Sequence, residues 1–140
     1  MRILLAVDGS IYTRRMLDYL AAHPKILGSD PEITALTAVT SISPYATRFT
    51  DAQAVEGHYS ELANKVLTPL QIFADAHGWK IRLDHSAGYP PDVIAEYANE
   101  HFPDLLVMGT HGDTALANLV LGSVVTGVLA RCKVPVLLIR

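Results

Sequence analysis

The chain has 140 residues, 50% of them hydrophobic, enough to bury a core without disulfide or metal staples, and short enough to read as one domain over residues 1–140. A net charge of −3 with 18% charged residues lacks the basic excess needed to bind nucleic acid or an anionic membrane surface, so neither is expected as a partner. A lone cysteine, Cys132, rules out an internal disulfide and a thiolate zinc site, the opening apolar run meets Asp8 too early for a signal peptide, and the stretch from Leu119 to Ala130 is well short of the roughly 20 residues of a membrane span, so the expectation is a soluble, cytoplasmic protein.

Short apolar runs alternate with helical patterns along the whole chain, the sequence sign of a parallel sheet with crossover helices. Ile3 to Val7 is almost wholly apolar, as a strand covered on both faces must be, and it stops at Asp8-Gly9-Ser10, read as a turn and helix cap. Met16, Leu17, Leu20 and Ala21 then recur at helical spacing within Ile11 to His23, and Pro24 to Pro31 is a loop. A second strand is predicted from about Ile33 to Val39, followed by a long loop, Ser41 to Asp51, near its carboxyl end. Tyr59, Leu62, Val66, Leu70 and Phe73 mark a long amphipathic helix over 52–77, which Pro69 should kink or break and Gly78 should end.

Trp79 to Ser86 alternates polar and apolar residues and reads as a half-exposed edge strand. Pro90-Pro91-Asp92 starts a helix whose buried side is Val93, Ile94, Tyr97 and Ala98. Leu105 to Met108 is a fourth strand, Gly122 to Arg131 a last helix, and Val134 to Ile139 a last strand. The sum is an α/β protein with five strands and four helices in alternating order.

The chemistry concentrates in Gly109-Thr110-His111-Gly112, nine residues, and Gly122-Ser123, between an apolar strand and an apolar helix. Glycines let backbone amides approach a ligand closely, and a helix start offers unpaired N–H groups and the positive end of its dipole. Gly122-Ser123 is thus a phosphate seat, with the Ser123 hydroxyl as a further donor. In an open parallel sheet ligands bind beyond the strand carboxyl ends where strand order reverses, so Asp8 and Gly109 share one crevice if their strands are neighbours. The loop lacks the G-x-x-x-x-G-K-[S/T] of a P-loop, and the first turn lacks the G-x-G-x-x-G of a dinucleotide fold.

Three motifs in this order, Ile3 to Ser10, G-x2-G-x9-G-S from Gly109 to Ser123, and Val134 to Ile139, resemble the universal stress protein family over the whole length. The resemblance implies a doubly wound, three-layer parallel sheet of strand order 3-2-1-4-5, homodimers, and binding of ATP, or of AMP or ADP. It places Ala6 and Asp8 at the ribose and base side, and Val39 and Met108 against the adenine. It puts Gly109, His111, Gly112, Gly122, Ser123 and Val124 at the phosphates or their surroundings, while in the crevice at the strand ends Asp8 would face the ribose or a magnesium ion held through the nucleotide. One departure stands out: the family often has a basic residue after the second glycine, and here it is Asp113, which repels a phosphate by about 1 kcal/mol at 4 Å even in water.

Each residue also has a plainer explanation. The three glycines could serve only turns and close packing, Asp8 and Ser10 could cap the first helix, and His111 could be a solvated loop residue. Cys132, flanked by Arg131 and Lys133, reads as packed and inert rather than activated, and the histidines at 23, 58, 77, 85 and 101 show no metal-ligand spacing. No catalytic residue is assigned, because no Lys or Arg lies between Gly109 and Val124 to clamp a γ-phosphate and no general base is evident, so any hydrolysis should be slow. The leading expectation is a nucleotide-binding stress-response or signalling module. The alternatives are a slow ATPase and a nucleotide-free dimeric interaction protein, the last favoured by Asp113. Dimerisation is expected through the apolar strand from Val134 to Ile139 if it lies at a sheet edge.

Overall fold

The computed structural model describes residues 1–112, 118 and 120–140. Five parallel strands form one sheet: β1 (Arg2–Ala6), β2 (Glu32–Val39), β3 (Ile81–Ala87), β4 (Leu105–Gly109) and β5 (Val136–Ile139), in the order β3-β2-β1-β4-β5. Residues of β1 and Val7 just after it alternate between two cores, as the pleat requires. Ile3, Leu5 and Val7 face a cluster with Met16, Leu17 and Leu20 of α1 (Ile11–Ala22) and Leu67, Leu70 and Phe73 of α3 (Ala52–Ala76). Leu4 and Ala6 face the other way, against Val93, Ile94 and Ala98 of α4 (Pro90–His101) and Val125 and Val128 of α5 (Ser123–Arg131). Two helices on each side of the sheet make the three-layer, doubly wound arrangement expected from the sequence.

Among the described residues there are five α-helices rather than four. The additional one, α2 (Pro44–Thr47), lies in the segment read as loop. Its start is local chemistry: the Ser43 side chain accepts from the Tyr45 N–H at 3.2 Å, and Pro44 occupies the first turn, where its missing N–H costs nothing. Of the kink or break expected at Pro69, the break does not occur: α3 runs as one helix through it. Pro69 sits on the exposed side, where solvent can satisfy the Lys65 carbonyl that loses its helical partner. Tyr97, expected to be buried, is half-buried, because its hydroxyl reaches out to Asp84 Oδ2 at 2.9 Å. The last strand is shorter than expected: Pro135 precedes it, yet its carbonyl still accepts from Leu106 N at 2.9 Å.

Helix α5 packs closely on α4, and a Cβ added at Gly127 would lie 2.6 Å from Pro91 Cβ. Arg131 Nε meets Asp92 Oδ1 at 2.9 Å across the same contact. This pairing fixes where the start of α5 sits relative to the sheet centre, and thereby one wall of the site.

Candidate functional site

The site forms where strand order reverses. β1 pairs with β2 on one side and β4 on the other, so Ala6 lies beside both Leu36 and Met108. The chain leaves β1 through a tight turn: Gly9 adopts φ +77°, a left-handed conformation that favours glycine. Ser10 caps α1, its hydroxyl accepting from Tyr12 N at 3.2 Å and Thr13 N at 3.4 Å. Asp8 belongs to the same network. Its Oδ1 accepts from Ser10 N at 3.0 Å and from Thr13 Oγ1 at 2.9 Å, and its own N–H donates to Thr13 Oγ1 at 3.1 Å. Its other oxygen, Oδ2, faces Gly112.

The glycine loop closes on this turn by packing that tolerates no side chain. A Cβ at Gly109 would lie 2.7 Å from Tyr12 Cβ, and one at Gly112 would lie 2.6 Å from Asp8 Oδ2. A Cβ at Gly122 would approach both Thr110 O and His111 Cα to 3.2 Å, and Gly122 N donates to Thr110 O at 2.7 Å. The structure thus supplies a packing reason for each glycine. Gly122 caps α5 with no side chain of its own, so among the described residues no side-chain cap covers the helix start.

A cleft of about 740 Å³ opens between these parts. All ten positions singled out in the sequence line it: Ala6, Asp8, Val39, Met108, Gly109, His111, Gly112, Gly122, Ser123 and Val124. The pattern did not reveal Thr13, Thr37, Ala38 and Thr40, nor Leu62 and Val66 from α3, nor Pro90 and Ile94 from α4. Leu62 and Val66 carry an ordinary i, i+4 core signature, and only the packing of α3 over β2 turns them toward the cleft. The β2 side is therefore lined mainly by apolar groups, and the β4 side by glycine backbone and a helix start. No Lys or Arg occurs among the described lining residues, where Asp8 is the acidic group.

His111 Nδ1 lies 3.1 Å from Thr110 Oγ1, and its ring packs at 5.1 Å against Tyr12. Asp113, the residue expected to disfavour phosphate, lies outside the described residues. Among the described residues no group of three or more His, Cys, Asp or Glu could hold a metal. Among the described lining residues Asp8 is the carboxylate that could meet a cation. Three other histidines have structural partners at helix ends. Nδ1 of His23, His77 and His101 lies 2.8, 2.8 and 2.9 Å from the carbonyls of Tyr19, Phe73 and Tyr97, one turn earlier, and each ring stacks on that aromatic side chain. A carbonyl only accepts, so those nitrogens carry the proton and cap the helices. Cys132 is a half-buried free thiol. No helix among the described residues is long and apolar enough to cross a membrane.

A reversal-point cleft with a glycine loop on a five-stranded parallel sheet defines a class of open, doubly wound α/β proteins. Within it, the chain belongs to the universal stress protein family, whose model matches residues 1–140. A universal stress protein of Methanocaldococcus jannaschii is 30% identical over 141 residues, covering 99% of this chain and 81% of its own. One from Synechocystis is 28% identical over 139 residues, and there the chain spans only 42% of the relative's length. Among solved structures, the protein UspA from Lactobacillus plantarum superposes with a TM-score of 0.76 at 22% identity, covering 100% of this chain and 97% of the other. A universal stress protein in complex with cAMP gives 0.67 at 26% identity over 100% and 96%. An Arabidopsis thaliana member with AMP bound gives 0.70 at 22% identity over 99% and 90%.

Proposed function

We propose that the cleft binds an adenine nucleotide, ATP, ADP or AMP, and that the protein acts as a nucleotide-responsive module in a stress response rather than as a fast enzyme. The observation that carries this reading is the convergence of the β1 and β4 ends with the start of α5 on one cleft of about 740 Å³, within the range of roughly 300–1,000 Å³ typical of small-ligand sites. Ala6, Val39 and Met108 form an apolar seat for a base, while the Ser123 amide and hydroxyl and the positive end of the α5 dipole are offered to the phosphates, the Gly122 amide being taken by Thr110 O. Two relatives of the same fold have been seen with cAMP and AMP, which favours a nucleotide over another anion. The described lining offers no cationic side chain to neutralise charge building on a γ-phosphate, so turnover should be slow.

Thermal unfolding with millimolar ATP or AMP, with and without magnesium, tests the reading on wild type and on Ser123→Asp. An acid at the first turn of α5 should leave the ligand-free protein as stable or slightly more so, by about 0.3–1 kcal/mol, while repelling phosphate. A nucleotide-dependent rise in the wild type that shrinks in the variant supports the site. No rise with any nucleotide defeats it.

The same reading includes a two-fold dimer through β5, which is an edge of the described sheet. Leu106 N donates to Pro135 O and Thr110 N to Ile139 O, so residues 135, 137 and 139 turn toward β4. Val136 and Leu138 then present their N–H groups outward, open to a second copy. Leu138→Pro removes one outward donor and spares the β4 ladder, so light scattering should report a monomer. A variant that stays dimeric would place the interface elsewhere.

A further inference from the structure

The segment after β2 carries two aromatic side chains that the fold itself does not use. Tyr45 is 71% exposed and Phe49 83% exposed, and the two pack edge to face with ring centres 6.2 Å apart. Isolated exposed apolar residues are ordinary, but a preassembled aromatic pair standing in water is not explained by packing. The short helix α2 that carries Tyr45 buries none of its residues. The segment is hydrogen-bonded to α3 at its root, where Ile42 N donates to the Tyr59 hydroxyl at 2.9 Å.

That root lies at the cleft rim. Thr40, two residues earlier, lines the cleft, and so does Leu62, one turn beyond Tyr59 on α3. Tyr45 is three residues from the pinned Ile42, so its backbone stays within about 10 Å of the rim at full extension. Sheet order fixes which end of the cleft the segment starts from. β2 and β4 are separated by β1, and neighbouring strands are about 4.8 Å apart, so the segment leaves from the apolar β2 side, with the carboxyl end of β2 about 10 Å from that of β4.

We propose that Tyr45 and Phe49 form a base-stacking strap: when the cleft holds a nucleotide, the segment 41–51 folds inward about the Ile42–Tyr59 hydrogen bond and lays an aromatic ring on the base. The inference rests on the nucleotide reading above and deepens it. Recognition by the strap acts on the planar base and not on phosphate, so the site is a nucleoside site first, with AMP and adenosine closing it and a bare polyphosphate leaving it open. Tyr59 is then a positioning residue that sets the pivot.

The test measures binding of AMP, adenosine and inorganic tripolyphosphate by calorimetry to wild type, to Tyr45→Ala/Phe49→Ala, and to Tyr45→Leu/Phe49→Leu. Both rings are exposed, so the ligand-free unfolding temperatures should match. Stacking one base on an aromatic ring is worth on the order of tenfold or more in affinity. The expected result is a loss of about that size for AMP and adenosine in both double variants, including the leucine pair that keeps apolar bulk, with tripolyphosphate unchanged. Phe49→Trp should in addition shift its emission to the blue with adenosine and not with tripolyphosphate, after subtraction of the Trp79 signal. Wild-type binding of AMP that survives intact in both double variants overturns the strap and leaves the nucleotide site standing. No AMP binding by the wild type overturns both.

Discussion

Gly112 sits so close to Asp8 that a Cβ placed on it would lie 2.6 Å from Oδ2. The glycine loop and the first turn are therefore one mechanical unit, joined across the sheet centre. Gly112→Ala should destabilise the protein by about 1–3 kcal/mol, as overpacking does. In an Asp8→Ala background the same change should cost far less, and a double-mutant cycle read by denaturant unfolding should show coupling of about 0.5–3 kcal/mol. Additive costs would mean that the two residues do not press on one another.

Two glycine-to-alanine changes should move stability in opposite directions. Gly109→Ala puts a methyl 2.7 Å from Tyr12 Cβ and 3.3 Å from Tyr12 backbone, neither the far end of a flexible chain, so a loss of about 1–3 kcal/mol is expected. Gly57 lies within α3 with nothing within 4 Å of an added Cβ. Gly57→Ala should stabilise by about 0.4–1 kcal/mol, because alanine loses less backbone entropy in a helix. Parallel thermal melts of the two variants decide the matter.

Phe102 ends α4 in the left-handed region at φ +47° with its side chain 64% exposed. A bulky residue is strained there and gains little by burial. Phe102→Asn should raise stability by about 0.5–1 kcal/mol, since asparagine tolerates this conformation. An unchanged or lower melting temperature would show that the ring contributes packing that outweighs the strain.

The Tyr97 phenol is held above its ordinary value of 10.0, first by burial, then by its hydrogen bond to the Asp84 carboxylate and that group's charge, with Arg82 pulling the other way. The folded state thus keeps its proton where the unfolded chain has begun to lose it. This contribution to stability is complete below pH of about 10 and is lost as pH rises through the folded value. Unfolding measured upward from pH 9 should show a falling limb in the wild type that Tyr97→Phe flattens. A variant with the same alkaline slope would assign it to other groups.

The central strand was legible because Ile3 to Val7 has no polar interruption, and only a strand covered on both faces is built that way. The glycine spacing made the family resemblance legible, and the ten residues that the resemblance implied line one cleft. What escaped was set by contacts distant in sequence or by a single local cap. Leu62 and Val66 look like core on any helical wheel, and nothing in their spacing says that the neighbouring wall is absent at that level. Ser43-Pro44 reads as a loop because four helical residues are too few to show a period. The break expected at Pro69 failed for a different reason: the freed carbonyl lies on the exposed side of α3, where water can replace the lost bond, and exposure is a tertiary fact.

The pairing of β1 with β4 joins segments far apart in the chain, as the hydrogen bond from Arg2 N to Asp104 across 102 residues shows. The cleft walls come from both of these segments, so no fragment lacking either one can contain the site. Opening the cleft far enough to dismantle it means parting the middle of the sheet, which is global unfolding. Any ligand held there must therefore slow degradation of the whole chain by proteases that act on the unfolded form. Occupancy would then be converted into cellular abundance without any enzymatic step.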